Sequence, residues 1–217
     1  MRFVPSRWRC AIFALIVACA ASSHAQDGIK AKTSPDSFWN RPKREITIWG
    51  GVPVGYPHLL ADVVRDVRQE RLYLMGVDID QRLWADRKLD FRGNLGVVPV
   101  AILSQPAGSG RSHTYGGGLS GGIELSPKVS WRLQPYVSGG IGCLIFTRDA
   151  PVPNSGRFNL AARMGAGFRI PTKGRQGLKV GMWLHHFSDA ATRPRNPGVD
   201  SIILYVGYAF PGLHAGR

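Results

Sequence analysis

The chain has 217 residues, 44% hydrophobic and 19% charged, with a formal net charge of +14, enough for one domain. Its three cysteines exclude a disulfide-stapled scaffold and a cysteine-based metal site, because Cys10 and Cys19 lie in or near an export leader and leave Cys143 alone. A basic balance invites a nucleic-acid reading, but an exported chain with its basic residues scattered along strands and turns suits a phosphate-rich membrane surface and no nucleic acid.

Residues 1–25 read as a signal peptide. Arg2, Arg7 and Arg9 form a basic start, Ala11 to Ala20 a short apolar run, and Ser23-His24-Ala25 a small-residue cleavage site. The apolar run falls short of the roughly 20 residues that a membrane helix needs. A rival reading takes Ile16-Val17-Ala18-Cys19 as a lipoprotein box that would leave Cys19 lipidated. Both readings export the chain. The leader holds three of the 28 Lys and Arg and none of the 14 Asp and Glu, so the mature 192 residues carry +11.

Residues 26–44 are polar and irregular and read as a mobile N-terminal segment. From Glu45 the chain reads as strands punctuated by Gly, Pro, Asn and Asp. Eight are expected, over about 45–54, 70–84, 87–103, 112–126, 129–147, 157–170, 177–189 and 199–210. Residues 58–68 also fit a turn or two of amphipathic helix, less well than the strand reading around them. A tail, 211–217, follows the last strand.

Alternation decides the kind of β-protein. In 158–170, Phe158, Leu160, Ala162, Met164, Ala166, Phe168 and Ile170 share one face, and Asn159, Ala161, Arg163, Gly165, Gly167 and Arg169 share the other. A soluble sandwich or lipocalin-type barrel also alternates, with its apolar face inward. Arg163 and Arg169 suit a polar lumen instead, and the recurring glycines suit a narrow barrel whose walls meet. The expected fold is all-β, an eight-stranded antiparallel transmembrane β-barrel over 45–210, closed because lipid cannot satisfy an open sheet edge. Trp49, Tyr56, Trp84, Trp131, Tyr136, Tyr208 and Phe210 lie near strand ends, as an interfacial girdle would place them. The tail PGLHAGR after Phe210 is atypical, since such barrels usually end on an aromatic residue. Trp183, Phe187, Arg163 and Arg169 would fill the lumen and argue against a pore.

The last two strands hold the residues that carry chemistry. Leu178, Val180, Met182, Leu184, His186 and Ser188 share a face, as do Asp200, Ile202, Leu204, Val206, Tyr208 and Phe210. A Ser, a His and an Asp therefore meet at adjoining strand ends on the lipid-facing side. Ionisable groups cost less there than at the bilayer midplane. A serine hydroxyl needs a base to become a nucleophile, and a carboxylate can orient that base. His186 and Ser188, two apart on a strand, have Cα atoms roughly 6.5–7 Å apart, within side-chain reach. Ser and His are common near strand ends and Asp often opens a strand, so spacing alone leaves a structural reading open. His185 points to the opposite face from His186, so the two cannot chelate one metal ion.

The segments His186-Phe187-Ser188-Asp189-Ala190 and Asn196-Pro197-Gly198-Val199-Asp200 resemble the lipid A 3-O-deacylase (PagL) family, with its His-x-Ser-Asn-Ala segment, then Asn-x-Gly and an acidic residue. The specific likeness covers about fifteen residues. It implies an outer-membrane barrel acting on lipid A or lipopolysaccharide, releasing a 3-hydroxy fatty acid with no metal or cofactor. By the same resemblance Ser188 is the nucleophile, His186 the general base, Asp200 the orienting acid and Asn196 a donor to the oxyanion. Two positions depart from the pattern. Asp200 replaces a Glu, and Asp189 replaces an Asn, which makes Asp189 a second candidate for the orienting or substrate-positioning role. These departures keep a second expectation open, a non-enzymatic outer-membrane barrel with a degenerate site.

Overall fold

In the computed structural model, which describes residues 41–57, 70–107, 109–129, 132–172, 175–190, 192 and 196–212, eight strands close into one antiparallel barrel in sequence order. They are β1 (Arg44–Gly55), β2 (Arg71–Ala85), β3 (Leu89–Ala107), β4 (Gly110–Pro127), β5 (Gln134–Phe146), β6 (Phe158–Pro171), β7 (Gly177–Ser188) and β8 (Val199–Pro211). Closure is made by β1 and β8, which pair from Glu45↔Pro211 to Gly55↔Ile202. The expected signal peptide, residues 26–40 of the polar segment, the 58–68 helical turns and residues 213–217 lie outside the described residues, as does Trp131.

The barrel is apolar outside and mixed inside, the inverse of a soluble protein. Ile141 is 75% exposed, Leu95 73% and Met164 62%, and their strand neighbours Gly140, Asn94 and Arg163 turn inward. Such an outer surface is stable only against lipid. The 158–170 alternation takes the expected sense, with Asn159 and Arg169 buried and Phe158, Leu160, Met164 and Phe168 exposed. Prolines sit beside irregularities in the ladder, where a missing N–H is tolerated: Pro99 within the Val98/Ala101 shift between β3 and β4, and Pro53 at the Pro53/Gly55 shift between β1 and β8.

Connections differ between the two ends. The segments 86–88, 128–133 and 172–176 are short and lie at one end, with the start of β1 and the end of β8. At the other end lie the longer 56–70, 147–157 and 189–198, with the tight β3–β4 hairpin. Barrels of this type carry short periplasmic turns and longer extracellular loops.

The lumen is divided along the same axis. Toward the short-turn end, Glu45 accepts from Arg41 Nε at 2.7 Å and Arg169 at 2.9 Å, while Lys179 meets Glu124 at 2.8 Å and Asp80 at 3.3 Å. Arg41, in the last part of the polar N-terminal segment, is thus buried in the lumen, and Arg92 donates to Pro42 O at 2.5 Å. Toward the long-loop end the filling is mainly apolar, with Leu72, Leu103, Phe146, Phe187 and Ile203 fully buried.

Two members of the expected aromatic girdle belong to this interior. Trp49 is 3% exposed and makes an edge contact with Trp183 at 4.9 Å between ring centroids; Tyr136 is 3% exposed and hydrogen-bonds Tyr205. Nearness to a strand end suggested the girdle, but strand parity puts both on the lumen face, Trp49 with Glu45 and Thr47, Tyr136 with Gln134 and Gly140. Trp84 and Tyr208 do face outward. The inward glycines make room for the rings: a Cβ on Gly167 would lie 2.7 Å from Tyr136 Oη and one on Gly181 2.8 Å from Tyr205 Oη.

Candidate active site

The β7–β8 ladder sets the site. Its register pairs His186 with Asp200 directly, and β6 pairs Leu160 with Ser188 and Ala162 with His186. Residues opposite one another on one face have Cβ atoms about 4.5–5.5 Å apart, so a carboxylate on a single methylene reaches an imidazole ring. Strand period brings Ser188 to the same face, one pleat further toward the long-loop end.

The side chains complete a series. His186 Nδ1 lies 2.8 Å from Asp200 Oδ1, and His186 Nε2 lies 3.1 Å from Ser188 Oγ. The Asp200 side chain is 1% exposed and that of His186 19%. The carboxylate is therefore screened from water while the imidazole edge and the hydroxyl remain accessible. Because a carboxylate accepts, Nδ1 carries the proton in the neutral ring and Nε2 is left to accept from the serine hydroxyl. The backbone N–H of Ala190 points at Ser188 Oγ from 3.4 Å. Ala190 reaches that position with φ of 55°, a left-handed conformation uncommon for a residue with a side chain.

The sequence candidates Ser188, His186 and Asp200 are thus brought together. Asn196 and Asp189 stand differently. Asn196 Nδ2 donates to Asn159 Oδ1 at 3.0 Å and lies 3.5 Å from Ser155 O, so the amide that would serve an oxyanion is engaged elsewhere. Its Oδ1 accepts from Gly198 N at 3.0 Å. Asp189 is buried, and neither carboxylate oxygen has a hydrogen-bond partner among the described residues. Parity turns it to the lumen side of β7's end, away from the His186 face. His185 is buried in the lumen, on the face opposite His186.

Gly198 is a part of the site that spacing did not single out. It has φ of +68°, and a Cβ there would lie 2.7 Å from His186 Cε1 and 3.3 Å from Ser188 Cβ. Glycine is required twice over, for the backbone conformation and for the close approach. The signal was present as the glycine of Asn196-Pro197-Gly198, which reads first as a turn. Ser155 and Asn159, both fully buried, had no such signal.

Comparisons with known proteins bear on the family and the fold. The family model described as lipid A 3-O-deacylase (PagL) matches residues 74–209, more than half of the chain and the whole of β7. Among solved structures, the crystal structure of the outer membrane enzyme PagL is similar with a TM-score of 0.56 and 18% identity, covering 76% of this chain and 99% of that one. The solid-state NMR structure of outer membrane protein AlkL in DMPC lipid bilayers gives 0.43 at 14% identity, covering 88% and 99%. The outer membrane protein OprG from Pseudomonas aeruginosa gives 0.36 at 11% identity, covering 79% and 98%. No curated protein sequence matches the chain significantly.

Proposed function

Because the chain belongs to the lipid A 3-O-deacylase (PagL) family, we propose that this outer-membrane barrel hydrolyses the 3-O-linked acyl ester of lipid A by a Ser–His–Asp mechanism. The observation that carries the reading is the unbroken series Asp200 Oδ1, His186 Nδ1, His186 Nε2, Ser188 Oγ, with links of 2.8 and 3.1 Å.

Each step follows from that series. Ser188 Oγ attacks the ester carbonyl carbon as His186 Nε2 takes its proton, and Asp200 holds the ring's tautomer and stabilises the imidazolium. The carbonyl oxygen becomes an oxyanion, for which Ala190 N–H is the nearest backbone donor to the nucleophile. A preorganised donor of this kind is worth on the order of 3 kcal/mol. Collapse breaks the bond to the sugar oxygen, which takes the proton from His186. Water, deprotonated by the same imidazole, then attacks the acyl-Ser188 ester and releases the fatty acid. The site lies on the outer wall at the long-loop, extracellular end, level with the ester bonds of an outer-leaflet glycolipid. Leu160 and Met164 of β6, both exposed, offer the acyl chain an apolar surface running from Ser188 toward the midplane.

Mass spectrometry of lipid A from a Gram-negative host expressing the wild-type chain or Ser188→Ala tests this. Loss of one 3-hydroxyacyl mass is expected with the wild type alone. Retained activity in Ser188→Ala would remove Ser188 as nucleophile. Unchanged lipid A with both chains folded in the membrane would favour a non-enzymatic barrel.

A further inference from the structure

The triad faces lipid, yet the hydrogen bonds that hold its surroundings lead over the rim into the barrel. Asn159 lies on the lumen face of β6, paired with Leu144 of β5, and is fully buried. Its Oδ1 accepts from Asn196 Nδ2 at 3.0 Å, and its Nδ2 lies 3.4 Å from Arg157 O. Asn196 in turn accepts from Gly198 N at 3.0 Å. That two-residue span from side chain to backbone is an Asx turn, the local geometry by which Asn shapes the backbone ahead of it. Gly198 then presses on the imidazole, with the space for a Cβ ending 2.7 Å from His186 Cε1.

We propose that Asn159 is a positioning residue for the catalytic imidazole, acting through Asn196 and Gly198. The inference rests on the reading of His186 as the general base. Asp200 restrains only one edge of that ring. Nε2 stays aimed at Ser188 because a backbone wall stands against Cε1, between the two nitrogens, and blocks the swing toward solvent. The wall is Gly198, its conformation is fixed by Asn196, and Asn196 is fixed by a buried acceptor on a different strand. The β5–β6 loop adds a second hold through Ser155 O, 3.5 Å from Asn196 Nδ2. An amide so engaged holds the site from behind.

Removing the acceptor while keeping the volume isolates the effect. In the full chain in detergent micelles, Asn159→Leu is expected to lower kcat by roughly 10- to 100-fold, the scale of an ångström-sized misplacement of a reacting group, with KM little changed. Asn159→Asp keeps an oxygen acceptor and is expected to restore most of kcat. Heat-modifiable gel mobility reports that each barrel is folded. The second readout is the His186 side-chain signal in 15N-histidine NMR, assigned by its loss in His186→Ala. It is expected to shift and broaden in Asn159→Leu and to return in Asn159→Asp. This signal reads the ring in a chain with or without deacylase activity, so failure of the enzymatic reading and failure of the clasp are told apart. A wild-type His186 signal in Asn159→Leu would overturn the proposal. So would a drop in kcat that Asn159→Asp fails to restore, or an Asn159→Leu chain that loses its folded mobility while Asn159→Asp leaves both rate and signal altered.

Discussion

His186 and Asp200 are a register pair across an antiparallel ladder, so an Asp reaches the imidazole at the position where the family pattern has a Glu. A directly opposed position needs no extra methylene, and the 2.8 Å contact shows the reach is sufficient. Asp189, the rival acid, lies on the other side of the strand from His186, and its carboxylate has no hydrogen-bond partner among the described residues. The two carboxylates are therefore separable by mutation. Asp200→Asn is expected to cut kcat by about 10³–10⁴, as loss of an orienting carboxylate does in serine hydrolases, while Asp189→Asn stays near wild type. Initial rates on a lipid ester, compared at equal folded fraction, decide the matter, and equal losses in the two variants would refute the assignment. These residues were legible because strand parity and a turn of fixed length act locally along the chain. Asn159 was not. Its bond to Asn196 depends on how a loop folds over the barrel mouth, and no periodicity encodes that.

At the scale of strands, parity was the reliable guide and position along the strand the poor one. Parity separates Glu45, Thr47 and Trp49 from Ile46 and Ile48 in β1; nearness to a strand end placed Trp49 wrongly in the interfacial girdle. The expected start of β5 at residue 129 fails for another reason. The β4–β5 ladder runs only to Leu125↔Val137, so the chain between them must reverse, and Pro127 and Pro135 cannot donate to an extended ladder. Ion pairs were unreadable as pairs, since Glu45 and Arg169 are 124 residues apart. Their energetics can be tested at Glu45, which is fully buried and within 3.4 Å of Arg41, Arg92 and Arg169. Glu45→Gln keeps the shape and removes the charge, leaving three guanidiniums facing one another. Breaking such a buried pairing typically costs about 3–5 kcal/mol. Urea unfolding in detergent should show a loss of that order in Glu45→Gln. A loss below 1 kcal/mol on the same scale would mean the cluster is hydrated and weak.

Taken whole, the barrel has a charged half toward the short turns and a mainly apolar half toward the long-loop end, where the site lies. Glu70 sits at that end, just before β2, and is buried. Its Oε1 accepts from Gln105 Nε2 at 2.9 Å, and its Oε2 has no partner among the described residues. Gln105 also donates to Pro151 O of the β5–β6 loop, the loop that carries Ser155. Burial pushes the Glu70 carboxyl up from 4.5 to about 8, against the opposing pull of the Gln105 bond and the Arg111 charge. Between those two values the folded barrel retains a proton that the unfolded chain has released. Stability must therefore fall as pH rises through that window and level off above it. Glu70→Gln mimics the protonated acid and keeps the acceptor for Gln105. Below the window the variant and the wild type should unfold at the same temperature; from about pH 4.5 upward the wild type should fall progressively behind, with the full deficit reached above pH 8. Thermal unfolding followed by gel mobility across pH 4–9 would measure the difference. Two parallel curves would mean that the Glu70 carboxyl is already ionised in the folded barrel, its charge met by groups at the mouth.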